Sequence, residues 1–484
     1  MSAALLAVLI PLLAAPLLGA FGNPRAGAVA NLLLNCGVFP LTLAAAFSPG
    51  SGLLHADSLG MIFGALTGFV GLSTAISNIA FVRGEAARMS VRRWRIYHAM
   101  CLVMIGTTLL GLYADNIGLL WVAVEGATIS ATLGVSLPRT ASALEAAWKY
   151  FVLGGVGIAL ALFGTMLTYL AAQPILGPGL QAMSFSALAA NAAHLDGSLM
   201  TLAFVFLLFG YGTKAALVPL HGWLPDAYAE GPVPLTATLA GLMLNVALIA
   251  LLRFRHLMQA NFAASGGAMR PGPFLFSLGL ASLLLTAFSL WRRRDARRFF
   301  GFSSIEHSGI AVFAFGIGGA AAIFGGLLHM ILHTLIKSAL FQALTRGAAM
   351  RGGAGPDNYG FSHLRGMMAT SKPLGWLLAF CVFALSGLPP SGLFASEFLI
   401  VSQTIQRVPV LSLPLGFGLL ICAIAIIRQV GPLVFAPPPK GTLPEVAGRG
   451  IGFTYLHLIF MLAIAFAMPA LLVTALSGLA TELQ

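Results

Sequence analysis

His329, His333 and Lys337 recur at steps of four residues in the apolar segment LLHMILHTLIKSALF. On an α-helix, each step of four advances about 40° beyond one turn and about 6 Å along the axis. The three titratable groups therefore form a gently winding stripe on one face. Histidine exchanges protons near neutral pH, which suits a relay. Two histidines at that spacing could also bind a metal. No carboxylate or cysteine joins them in the segment, so a proton relay is favoured over structural histidines, and no metal site is expected.

Two further groups sit where hydrocarbon makes charge expensive. Glu125 lies about ten residues into DNIGLLWVAVEGATISATLGVSL, near mid-membrane. Lys214 lies in the middle of an apolar helix that begins FLLFGYGTKAALVPL. Isolated charges in spans are rare unless they face a protein interior or a water-filled path. Close together, the carboxylate and ammonium hold each other charged; apart, desolvation drives both towards neutrality, which makes a proton switch. After Lys214 the chain breaks at PLHGWLP, which contains Pro219, His221 and Pro225. A second helix breaks at GLPP, with Pro389 and Pro390, and places Glu397 just beyond. Broken helices at membrane depth are tolerated where the freed backbone groups find protein or water partners. Paired interruptions in two halves of a chain point to an inverted-repeat transporter.

Secondary candidates surround these. Lys149, with Glu145, opens the sixth span, where snorkelling to the interface and a part in proton uptake both account for it. Asn245 is the central polar residue of the eighth span and can hydrogen-bond a water wire without releasing a proton. Glu306 and His307, placed one turn into the tenth span, are adjacent and so serve different neighbours.

The elements that must hold these residues follow from composition. At 58% hydrophobic and 8% charged, with mean hydropathy +0.93, the chain lacks the charge a soluble surface needs. About 20 apolar residues make a span, and fourteen are read between 3–22 and 452–476. The functional residues fall on 115–137, 142–171, 198–219, 235–255, 299–317, 320–346 and 373–402. The predicted fold is an all-α integral membrane protein. A scaffold at 1–94 precedes repeats at 95–260 and 261–435, and 436–484 forms a last loop and helix. The first apolar segment reads as a retained span, since it has no basic flank and no small-residue cleavage site.

A net charge of +12 would suggest nucleic acid for a soluble chain; here the membrane accounts for it, and no nucleic acid partner is expected. Basic residues gather in alternate loops, including Arg83 to Arg95, Arg292 to Arg298, Arg346 to Lys372, and Lys440 with Arg449. The positive-inside bias puts those loops in the cytoplasm and both termini outside. Arg253, Arg255 and Arg270 fall on the wrong side of that arrangement. Cys36, Cys101, Cys381 and Cys422 are single and lie in apolar segments, so no iron–sulfur or zinc ligand set is evident. Any redox chemistry belongs to a partner.

Lys214 with VPLHGWLPDAYAEGP, the LLHMILHTLIKSALF helix and the broken GLPPSGLFASEF helix resemble the antiporter-like subunits of respiratory complex I, membrane-bound hydrogenases and Mrp cation/proton antiporters. SSIEHSG at 303–309 and LMLNVALIALLRF are most similar to the hydrogenase 4 component F type, a relative of the complex I M-type subunit. The resemblance implies two five-helix inverted repeats with broken helices seven and twelve around a hydrophilic axis. It also implies a proton path through Glu125, Lys214, His329, His333, Lys337 and Glu397, in a bacterial-type inner membrane. Expected partners are other antiporter-like subunits and a peripheral redox arm holding iron–sulfur, nickel or flavin centres. The family usually has lysine where this chain has Asn245. A sodium/proton antiporter subunit, a proton-conducting partner of a cytoplasmic enzyme, and a mainly structural subunit remain open alternatives.

Overall fold

The structure is a computed structural model, and it describes residues 1–20, 22–265, 269–353, 356–440 and 451–484. Arg449 lies outside the described residues. Within them the chain is helical apart from a small hairpin, Gly50–Ser51 paired antiparallel with Leu54–His55. Among the described residues, eleven helices are long and apolar enough to cross a membrane, and two bent pairs raise that to thirteen; Ala3–Leu18 is a shorter apolar helix. The last predicted span is not straight. It stops at Phe466 and restarts at Ala470, just after Pro469, with a 72° bend. Proline cannot continue the hydrogen-bond ladder, which accounts for the stop.

Burial is graded from rim to centre. The helix Ala141–Leu176 exposes Leu144, Trp148, Phe151, Val152 and Met166 along one face. Ser412–Phe435 likewise exposes Leu413, Phe417, Leu420, Ile424 and Ile427. Apolar faces of this size in water would drive association; in a bilayer they meet lipid or a neighbouring subunit. By contrast, the apolar window of Val233–Ala264 is wholly buried, and Ala296–Ile317 and Ala320–Met350 are nearly so. Those three central helices carry Asn245, Glu306, His307, His329, His333 and Lys337. Small residues let them approach their neighbours: a Cβ on Gly309 would press against the Gly279 carbonyl. This is close packing of the kind that holds helices together where lipid offers no hydrophobic drive.

Arg253 and Arg255 are not solvated loop charges. Arg253 is buried and pairs with Asp57 at 2.7 Å while also donating to the Ala114 and Leu112 carbonyls. Arg255 is buried and donates to the carbonyl of Leu483. Both tie the central helix to distant segments, so they fall outside the loop-charge count on which the positive-inside bias rests.

Candidate functional site

The first broken helix ends at Lys214 itself, so the lysine is the last residue of the half-helix Gly197–Lys214 and not the middle of a span. Trp223, after the break, donates its indole N–H to the Thr213 carbonyl at 2.8 Å, capping one of the orphan acceptors at that helix end. The backbone N–H of Val218 finds Ser282 Oγ at 3.0 Å. Trp223 also stacks on Tyr150, with ring centroids 4.3 Å apart. The break is therefore satisfied by protein.

Lys214 is fully buried, and its Nζ donates to Thr128 Oγ1 at 2.7 Å. The Tyr150 ring lies 5.8 Å away, and Gly154 leaves the space that the ammonium fills. Glu125 is one turn from Thr128 on the helix Ile117–Val135, and Lys214 is its electrostatic neighbour. Among the described residues, no cation comes within the 4.0 Å ion-pair distance of Glu125, and its buried Oε2 has no hydrogen-bond partner. The expected couple is thus adjacent but open.

The second half repeats this arrangement. Glu306 lies in the middle of Ala296–Ile317, deeper than one turn from its start, because the helix begins at Ala296. Its neighbours are Lys337 and Cys422. Lys337 Nζ donates to the Phe300 carbonyl at 2.9 Å, not to Glu306, whose Oε2 is also buried and unpartnered. Glu306 and His307, expected one turn into the span, are both buried near its middle.

His307 joins the histidines of the neighbouring helix. Its Nδ1 is 3.0 Å from His329 Nε2, and its ring centroid is 4.9 Å from that of His333. His329 Nδ1 reaches Ser396 Oγ at 2.9 Å, next to Glu397. Glu397 packs over the second break. Gly387 there has φ +62°, and a Cβ on it would overlap Glu397 Oε2. Glu397 is half-buried, so the imidazole chain runs from the enclosed centre to a partly open carboxylate.

Asn245 bridges the two halves. One widened helical turn, Leu239–Met243, precedes it, and Asn245 Nδ2 donates to the Gly241 carbonyl (2.9 Å) and Thr334 Oγ1 (2.8 Å). Such single wide turns are frequent at functional sites. Thr334 lies between His333 and Lys337 in sequence. On the other side, Tyr150 reaches Met243 at 3.0 Å. Thr128, Tyr150, Thr334 and Ser396 were not singled out from sequence. For Thr128 the signal was its place one turn after Glu125, and for Ser396 its place beside Glu397.

Two expected residues, Lys149 and His221, stand apart. Lys149 is half-exposed in a charged cluster, 2.7 Å from Glu145 and 3.1 Å from Asp226. Arg298 bonds the same Asp226 and Glu230. His221 is half-buried within the first break. His457 is buried in a separate network, 3.1 Å from Ser73, which also accepts from Gln342.

A family profile described as NADH:quinone oxidoreductase/Mrp antiporter, transmembrane, matches residues 114–422, which contain every residue of this axis. The chain belongs to that family. It is 44% identical over 442 residues to a hydrogenase-4 component F homolog of Methylacidiphilum infernorum, covering 90% of this chain and 91% of that one. In fold it matches a chain of the archaeal membrane-bound sulfane sulfur reductase, with TM-score 0.84, 20% identity, and 99% and 98% of the two chains covered. It also matches a chain of respiratory complex I from Thermus thermophilus, with TM-score 0.81, 21% identity and the same coverage. The chain is a multi-pass, antiporter-like membrane subunit of this family.

Proposed function

We propose that the chain is the proton-translocating, antiporter-like subunit of a redox-driven assembly of the hydrogenase-4 or complex I type, with no redox centre of its own. The observation that carries this reading is the pair of open lysine–carboxylate couples, Lys214 with Glu125 and Lys337 with Glu306, joined to a buried imidazole chain. Closing a couple holds both groups charged, and opening it favours proton release from the lysine. A change in a partner acts on Glu125 and Lys214, and the proton moves by way of Asn245 and Thr334 towards Lys337 and the histidines. Glu397, half-open, exchanges it with the outside or passes charge to a neighbouring subunit.

Residues 95–260 and 261–435 act as the two repeats. The partners are other antiporter-like subunits and a peripheral arm holding iron–sulfur, nickel or flavin centres. The chain sits in an inner, cytoplasmic-type membrane, with its basic loops inside and both termini outside. The likeness to a hydrogenase-4 component F homolog along nine-tenths of the chain supports a redox-driven assembly. Purification of the tagged protein in mild detergent, with mass spectrometry of what stays attached, tests the assignment. Redox subunits are the expected companions; antiporter-like membrane chains with no redox partner would move the reading to secondary cation/proton exchange.

A further inference from the structure

We propose that His307, His329 and Glu397 form a binding site for a divalent transition metal of the zinc type. His307 Nδ1 and His329 Nε2 face each other at 3.0 Å, and one donor atom from each of His307, His329 and Glu397 lies within 4.8 Å of the other two. Zinc bonds of about 2.0–2.1 Å in a tetrahedral site put ligand atoms about 3.4 Å apart. The two imidazole nitrogens therefore already stand near coordinating separation, and a rotamer change brings the carboxylate the rest of the way.

The surroundings favour the same assignment. Ser396 Oγ holds His329 Nδ1 at 2.9 Å, which turns Nε2 towards the site, as an outer partner of a metal-bound histidine does. His307 Nε2 is buried without a hydrogen-bond partner, so no polar contact at that atom holds the ring in its present place. Two imidazoles and one carboxylate suit zinc, cobalt(II) or nickel(II); sodium, magnesium and calcium want oxygen-rich shells. The three ligands come from three different helices, so the spacing of His329 and His333 in the sequence does not point to this set.

The site rests on geometry alone. That its occupation stops proton movement rests on the functional reading above, since the same groups belong to the relay.

Cobalt(II) added to the purified full-length protein tests the site, because four-coordinate cobalt absorbs strongly in the visible. One tightly held equivalent is expected, with exposed His55 and His194 contributing only loose background. The band should vanish in His329→Ala, and affinity should fall about tenfold or more in Glu397→Gln, the loss typical of a disturbed metal shell. An unchanged band in both variants, or no band in the wild type, overturns the proposal. Zinc K-edge absorption on wild-type protein guards against misfolded variants: two imidazoles with an oxygen donor are expected, and one imidazole or none contradicts it. Metal binding with no proton pumping would sink the functional reading and leave the site; pumping without metal binding would do the reverse.

Discussion

Lys214, at the end of Gly197–Lys214, and Glu125, on Ile117–Val135, face each other without closing an ion pair, because the ammonium donates to Thr128 Oγ1 at 2.7 Å instead. Lys337 and Glu306 repeat the relationship, with the Phe300 carbonyl as the neutral acceptor at 2.9 Å. A neutral acceptor holds the lysine in place while leaving the carboxylate free to capture it later. Two such couples at the two ends of one buried polar axis make alternating closure the simplest electrostatic cycle.

Thr128 should therefore set the resting state of the first couple. Thr128→Val removes an acceptor to a charged donor, a contact worth about 1.5–3 kcal/mol, so the rate of proton movement should fall about tenfold or more. Thr128→Ser should retain it. Proton uptake in proteoliposomes, alongside electron-transfer rate, checks both.

Gly387→Ala should disturb the second break in two ways. The positive φ costs a side-chain-bearing residue about 1–2 kcal/mol, and the added Cβ displaces Glu397. Lower thermal stability in detergent and reduced pumping are expected together. Gly52→Ala is the control: its φ is +70° but nothing lies within 4 Å, so pumping should be unchanged.

Much of this was legible before any coordinates. Glu125, Lys214 and the His329–His333–Lys337 stripe announce themselves because charge in an apolar run has few innocent explanations. The breaks were visible as proline clusters. The partner atoms were not: Thr128, Thr334 and Ser396 are small polar residues common in spans, and only packing shows which of them face the axis. Glu306 and His307 lie deeper in their helix than expected, because it begins at Ala296 and not at 299. Arg253 looked like a misplaced loop charge until its ion-pair partner, Asp57, appeared from 196 residues away.

The Asn245 amide joins the Gly241 carbonyl to Thr334 Oγ1. Asn245→Leu should leave the Gly241 carbonyl and Thr334 short of a donor, costing about 1–3 kcal/mol of stability and slowing proton transfer. Asn245→Lys offers three donors to the same two oxygens and should keep pumping within about threefold. Thermal melting and pumping rates of the two variants decide whether the position needs a hydrogen bond or a charge.

Arg253→Leu should act on assembly alone. It leaves the Ala114 and Leu112 carbonyls short of a donor and Asp57, whose side chain is 36% exposed, without its cation, a loss of about 1–3 kcal/mol. Yield and melting temperature should drop, while whatever complex does assemble pumps normally; adding Asp57→Asn should recover part of the loss.

Proton stoichiometry of the assembled complex carrying Glu125→Gln or Lys214→Ala, measured together with its electron-transfer rate, tests the central claim most directly. The account predicts that both variants move fewer protons per electron than wild type while electrons still flow. Wild-type stoichiometry in both would contradict it.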